Sequence, residues 1–139
     1  MNYKEKVMIN IANQCRLLYT PIDKKDMALG EIKYNRKCHL NSVQAVKEKI
    51  AEKVFLAVTI DNNNGVVVHF INKNNLGQFV DNTLGWSYEE LDYYLVREIK
   101  PNEFCRIGDL LNSMKKYLVY NNSNWLLRKI HRIDYNNFI

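Results

Sequence analysis

Two runs of β-branched residues joined by a turn signal constrain this chain more than any other feature. VFLAVTI (54–60) and VVVHFI (66–71) flank DNNNG. Asn and Gly adopt turn angles that other residues avoid, so two apolar runs separated this way pair as an antiparallel hairpin. NKNNLG then leads by a second hairpin into QFVDNTL (78–84), and YYLVREI (93–99) reads as a fourth strand. Between them, Ser87 and Glu90 have the spacing of a short capped turn.

Outside this region the apolar period lengthens to that of a helix. Residues 3–19 place Val7, Met8, Ile11, Ala12, Cys15 and Leu18 on one face, and Thr20-Pro21 ends the segment. Residues 21–36 have no clear period and predict a loop or short extended piece. A second helix is expected from Cys38 to Lys53, with Val43, Val46, Ile50 and Val54 as its apolar stripe. Asn41 and Gln44 have capping-box spacing, which would start the regular helix just after the cysteine. Beyond Pro101, residues 107–119 are helical by period, and 124–133 fit a helix or a strand. The expected architecture is α+β over a single domain, 1–139: N-terminal helices packed on an antiparallel β-meander, then a C-terminal helix.

Composition narrows the class. Apolar residues make up 47% of the chain and aromatics 12%, enough to bury a core and to argue against disorder. No apolar run approaches the ~20 residues that span a bilayer. The first residues, MNYKEKVMINIANQ, are broken by charges and amides, which predicts no signal peptide. Three cysteines, at 15, 38 and 105, form no Cys-x-x-Cys pair, so neither a disulfide framework nor a Cys-rich zinc site is expected. The expected setting is a reducing cytoplasm, with leaderless export still open. Nineteen asparagines with few Pro and Gly suit an AT-rich source such as a phage or mobile element.

The chemistry concentrates at RKCHLNSVQAV (36–46), where a cysteine stands at a predicted helix start. Free N–H groups and the helix dipole there favour the thiolate, and the same N–H groups can hold an oxyanion. Arg36 and Lys37 push in the same direction. A thiolate nucleophile needs an imidazole, and His69 lies on the second predicted strand. Asp81, on the predicted neighbouring strand, falls almost opposite His69, where facing side chains lie ~5 Å apart. Asp81 is thus expected to orient one ring nitrogen and leave the other for Cys38. Asn82 is the rival orienter, but strand alternation points it to the other face.

A cysteine opening a helix, a histidine on a following strand and an aspartate on the next strand resemble the papain-like cysteine hydrolases, most closely the transglutaminase-like branch. The stretch HFINKNNLGQFVDNTLGW is similar to the segment in which that branch carries its histidine and aspartate. The likeness covers residues 36–86. It implies a papain-like/transglutaminase-like core and a protease, deamidase or transglutaminase-type reaction through a Cys38 thioester, with His69 as base and Asp81 as orienter. The glutamine that papain-like enzymes place upstream for the oxyanion has no counterpart here. Tyr34 and Asn35 are therefore candidates for contacting substrate, as is Trp86 beside the aspartate turn. No metal and no organic cofactor is expected. A domain this small has few residues left to enclose a small molecule, so the expected substrate is a protein or peptide.

Each residue also has a plainer reading. Cys38 is equally a small helix-end residue, His69 a structural histidine, Asp81 a turn-former and Trp86 a core residue. His39 reads as a helix-start or surface residue, and Cys15 as core. Cys105, His131 and Asp134 repeat the residue order on weakly defined elements. A second function, from another class, comes from the C-terminal region. Lys115, Lys116, Arg128, Lys129 and Arg132 accumulate among Tyr117, Tyr120 and Trp125 with no acid between 115 and 133. Basic and stacking side chains together suit nucleic-acid binding, and such a chain would be a non-enzymatic binding protein that blocks a host factor or nucleic acid.

Overall fold

The computed structural model describes residues 1–139 apart from the side chains of 86–88; the candidate substrate residue Trp86, and Ser87 of the predicted capped turn, lie outside the described residues. In chain order the elements are α1 (Tyr3–Leu18), β1 (Thr20–Pro21), β2 (Met27–Ala28), α2 (Cys38–Lys47), β3 (Lys53–Ile60), β4 (Val66–Lys73), β5 (Phe79–Val80), β6 (Asp92–Ile99), α3 (Ile107–Asn121), α4 (Trp125–Ile130) and α5 (Tyr135–Phe138). Short 3-10 turns cover residues 24–26, 85–90 and 101–106.

The central hairpin forms as its sequence dictates. β3 and β4 pair antiparallel from Lys53↔Lys73 to Ile60↔Val66. In the turn, Asp61 Oδ1 accepts hydrogen bonds from the N–H groups of Asn63 and Gly65, both at 2.8 Å. α1 starts at a capping box in which Asn2 and Glu5 each bond the other's backbone N–H. Of residues 124–133, Trp125–Ile130 form a helix, because the Asn124 side chain caps the N–H groups of Leu126 and Leu127.

The expected meander forms only through β3, β4 and β5, which pair antiparallel in chain order. The α+β sheet is mixed, in the order β1-β6-β3-β4-β5-β2, with β2 parallel to β5. β6 crosses back to the far edge of β3, pairing Val54↔Ile99 through Ile60↔Asp92. The cause lies in β3, which is buried at every position from 54 to 60. A buried strand must satisfy the backbone groups on both edges, and β6 fills the edge that β4 leaves open. The expected strand over 78–84 shrinks to two residues because the Asp81 side chain turns the chain out of the ladder.

α2 also departs from expectation. It ends at Lys47, and Lys49 follows with φ 60°, so Ile50 is 48% exposed and Val54 belongs to β3. The Asn41–Gln44 capping box does not form. The helix begins at Cys38, and no side chain caps its N-terminus.

Alternation divides the core between the two faces of the sheet. Val54, Leu56 and Val58 of β3 with Val68 and Phe70 of β4 meet α1, α2 and α3 on one face, where Ile11, Cys15, Cys38 and Leu118 are buried. On the other, Phe55, Ala57, Ile71 and Tyr93 pack with Met27. Among the described residues no helix is long and apolar enough to cross a membrane.

Candidate active site

His69 shares the face of Ala57, its register partner on β3, and is 3% exposed. A buried imidazole requires polar company, and it has it. Its Nε2 comes within 2.9 Å of Asp81 Oδ2, an ion-pair distance without the alignment of a linear hydrogen bond.

Asp81 is fully buried and heavily bonded. Its Oδ1 accepts from the N–H groups of Thr83 and Leu84 at 3.0 and 2.9 Å. The Tyr93 hydroxyl donates to its Oδ2. Register explains why Asp81 reaches His69 at all. β4 and β5 pair as Asn72↔Val80 and Lys73↔Phe79, so Asp81 stands one step past the strand, diagonal to His69 rather than directly opposite. Asn82 points away, as alternation requires, and its Nδ2 donates to Asn72 Oδ1 at 2.9 Å.

Cys38 comes to the same place from the helical layer. β5 pairs only with the last two residues of β4, leaving the edge before them open. The Phe70 N–H on that edge and the imidazoles of His69 and His39 lie close enough to the Cys38 sulfur to stabilise its thiolate. Because Asp81 takes Nε2, Nδ1 is the His69 nitrogen left for the sulfur.

The electrostatics follow from these contacts. Burial alone pushes the Cys38 thiol up; the neighbouring His39, then His69 with its charge, and the Phe70 N–H outweigh this and bring it down to about 6. Burial pushes His69 down, yet the Asp81 carboxylate, reinforced by Cys38, lifts it to about 10. Asp81 is pushed up by burial and held below the ordinary carboxylate range by His69, Tyr93 and the Leu84 N–H. Burial and Asp81 raise the Tyr93 hydroxyl far above its usual value, so it stays a donor. Cys15 is the internal control. It lies in the same core cluster without imidazole neighbours, and burial raises its thiol to about 11.

Cys38, His69 and His39 open into one cleft of about 470 Å³, bordered by Val67, Val68, Leu84, Leu111, Arg36 and Lys115. Tyr34 and Asn35 are not among its walls. The Tyr34 side chain is 91% exposed. Asn35 is structural: it exchanges hydrogen bonds with Asn41, whose Nδ2 also donates to Thr83 Oγ1, and its Oδ1 accepts from Lys37 N–H. Cys105, His131 and Asp134 do not assemble. Cys105 is exposed, His131 stacks on Tyr3 and Asp134 caps α5. Among the described residues no group of three or more His, Cys, Asp or Glu is placed to hold a metal ion.

Sequence reasoning missed two members of the site. His39 reads as a helix-start or surface residue; it does lie in the first turn of α2, but half-buried beside Cys38, and its Nδ1 is buried with no hydrogen-bond partner among the described residues. Tyr93 gave no signal, since an aromatic on a strand reads as core. The fold and site together define an α+β domain with a buried thiol–imidazole–carboxylate chain at one sheet edge. No protein-family model matches the chain, and no curated protein and no solved structure shows significant similarity to it.

Proposed function

We propose that the chain is a cysteine-dependent hydrolase or acyltransferase of papain-like, transglutaminase-like type, acting on amide carbonyls of polypeptides. One observation carries this reading: Cys38, at the start of α2, shares one cleft with His39 and with His69, whose Nε2 rests 2.9 Å from the buried Asp81 carboxylate, and these neighbours lower its thiol where burial alone would raise it. Structural cysteines are raised by burial, as Cys15 is.

In the proposed cycle the Cys38 thiolate attacks the carbonyl carbon, forming the C–S bond and moving the carbonyl π pair onto oxygen. The uncapped N-terminus of α2 offers backbone N–H groups to that oxyanion. Protonated His69 passes its proton to the leaving nitrogen as the C–N bond breaks, giving the thioester. Neutral His69 then takes a proton from water or an amine, which attacks the thioester and expels the thiolate. Hydrolysis, deamidation and amine transfer share these steps and differ in the bond attacked and in the nucleophile that resolves the thioester. Asp81 holds the ring and balances its charge throughout.

Iodoacetamide tests the nucleophile. Near pH 7 Cys38 alkylates faster than glutathione, with a midpoint near 6; a rate no faster than glutathione sinks the proposal. Acetyl transfer from p-nitrophenyl acetate to Cys38, followed by mass spectrometry, tests the acyl chemistry, and it is lost in His69→Ala. The pH profile of turnover is a bell with limbs near 6 and near 10, belonging to the thiol–imidazole pair rather than to either residue.

The nucleic-acid reading has weaker support. The Tyr120 ring already carries the Arg128 guanidinium at 4.1 Å, the Lys116 ammonium at 5.5 Å and the edge of Tyr135 at 6.0 Å, so its faces are spent within the chain.

A further inference from the structure

The cleft around Cys38 has a chemical preference of its own, and an inference from it rests on the acyl-transfer reading above. Its floor is aliphatic, from Val67, Leu84 and Leu111, and Val67 is 47% exposed although it sits on a strand. Among the described residues the charged ones that border it are Arg36 and Lys115, and no carboxylate lines it. Among the described residues neither cation has an ion-pair partner, whereas Lys33, Lys53 and Arg97 each hold a glutamate.

Both cations are placed by structure. Arg36 adopts φ 55°, in the left-handed region that non-glycine residues avoid. The bond from its N–H to the Lys33 carbonyl at 3.4 Å and the adjacent bond from Lys37 N–H to Asn35 Oδ1 at 3.0 Å keep it there. Lys115 is half-buried on α3, one turn after Leu111, and both line the cleft; a lysine so placed can lay its aliphatic stem on apolar surface and keep its ammonium in water.

We propose that this cleft selects polypeptide segments carrying a carboxylate beside an aliphatic side chain. Arg36 and Lys115 take the carboxylate, the aliphatic floor takes the neighbouring side chain, and the adjoining carbonyl is presented to Cys38. A nucleic acid satisfies the cations but neither the apolar floor nor the thiolate, which needs an acyl carbon. The carboxylate is that of an Asp or Glu side chain or of a chain terminus.

Cys38 itself is the reporter. Iodoacetate and iodoacetamide react by the same step, sulfur displacing iodide, and differ in one carrying a carboxylate. Alkylation of the full chain is followed at Cys38 by peptide mass mapping, because the exposed Cys105 also reacts. The iodoacetate-to-iodoacetamide rate ratio is expected to exceed that of glutathione. It should fall about three- to tenfold in the R36Q/K115Q double variant, and also at high salt. K115E alone, which reverses one charge of the cleft, should lower it in the same direction. An unchanged ratio in both variants overturns the proposal. If Cys38 is slow with both reagents, the acyl-transfer reading fails instead.

Protection from iodoacetamide then separates the sources. Ac-Leu-Glu-NHMe protecting better than Ac-Leu-Gln-NHMe supports a side-chain carboxylate, and Ac-Ala-Leu with a free terminus protecting better than its amide supports a terminal one. Equal protection by acidic and neutral peptides, no protection by any of them, or protection by oligothymidylate alone overturns the preference.

Discussion

Asp81 joins the site's chemistry to its architecture. Each oxygen has two partners: Thr83 and Leu84 N–H groups on Oδ1, Tyr93 and His69 on Oδ2. Asp81→Asn keeps the shape and removes the charge that lifts His69, so the imidazole proton is held less tightly and the thiolate loses its counter-ion. The midpoint of Cys38 alkylation should rise by about 1 unit or more, and a midpoint still near 6 would detach the carboxylate from the mechanism. His39→Ala removes the neighbour that lowers the Cys38 thiol most, and should move the midpoint the same way. Tyr93→Phe leaves a buried carboxylate one donor short, at a cost of about 1–3 kcal/mol in urea unfolding; no loss of stability would mean that the hydroxyl contributes nothing.

Elements place these residues through a strap that carries little periodic signal. Residues 30–33 run beside the Asp81 turn, with Lys33 N–H donating to the Thr83 carbonyl at 2.9 Å and Ile32 bridging Leu84. The approach is so close that a Cβ on Gly30 would overlap the Asp81 carbonyl, and one on Gly85 the Gly30 carbonyl. The same strap continues through Arg36 into α2, so it couples the aspartate to the cysteine. Gly30→Ala must push the two segments apart. We expect it to destabilise the fold and to slow Cys38 alkylation, and a variant with wild-type stability and rate would show that the strap does not matter. A second tie is the fully buried Asn72, whose Nδ2 donates to the Ser42 and Lys53 carbonyls at 2.9 and 3.0 Å and pins α2 to the sheet.

At the scale of the whole molecule, the site shapes stability against pH. His69, raised to about 10, contributes stability that is complete below its unfolded value and is lost as pH climbs toward 10. Cys38, lowered to about 6 from an ordinary 9.0, contributes the opposite: its share is lost as pH falls through 6 and complete above 9. The two slopes oppose each other between these values, so the stability of the wild type should be nearly level from pH 7 to 9. Cys38→Ser removes the rising share, and its stability should decline over the same range. Asp81, held below 3.8, adds a loss only when pH falls through its lowered value. Parallel profiles for the two proteins in urea titrations would contradict the ion pair.

What the sequence by itself determined is local. Period and turn chemistry define the β3–β4 hairpin and α1, and helix-start position with residue type singles out Cys38, because these depend on neighbours a few residues away. His69 and Asp81 were legible together because one short connection separates them and alternation puts them on one face. Tertiary structure decided the rest. Whether β6 continued the meander or returned to β3 depended on the open edge of a buried strand. Which histidines came to lie beside the Cys38 sulfur, and whether its thiol would be raised as at Cys15 or lowered, depended on a strap and a sheet edge brought together from distant parts of the chain. Those are long-range contacts, set by burial and backbone hydrogen bonding rather than by spacing.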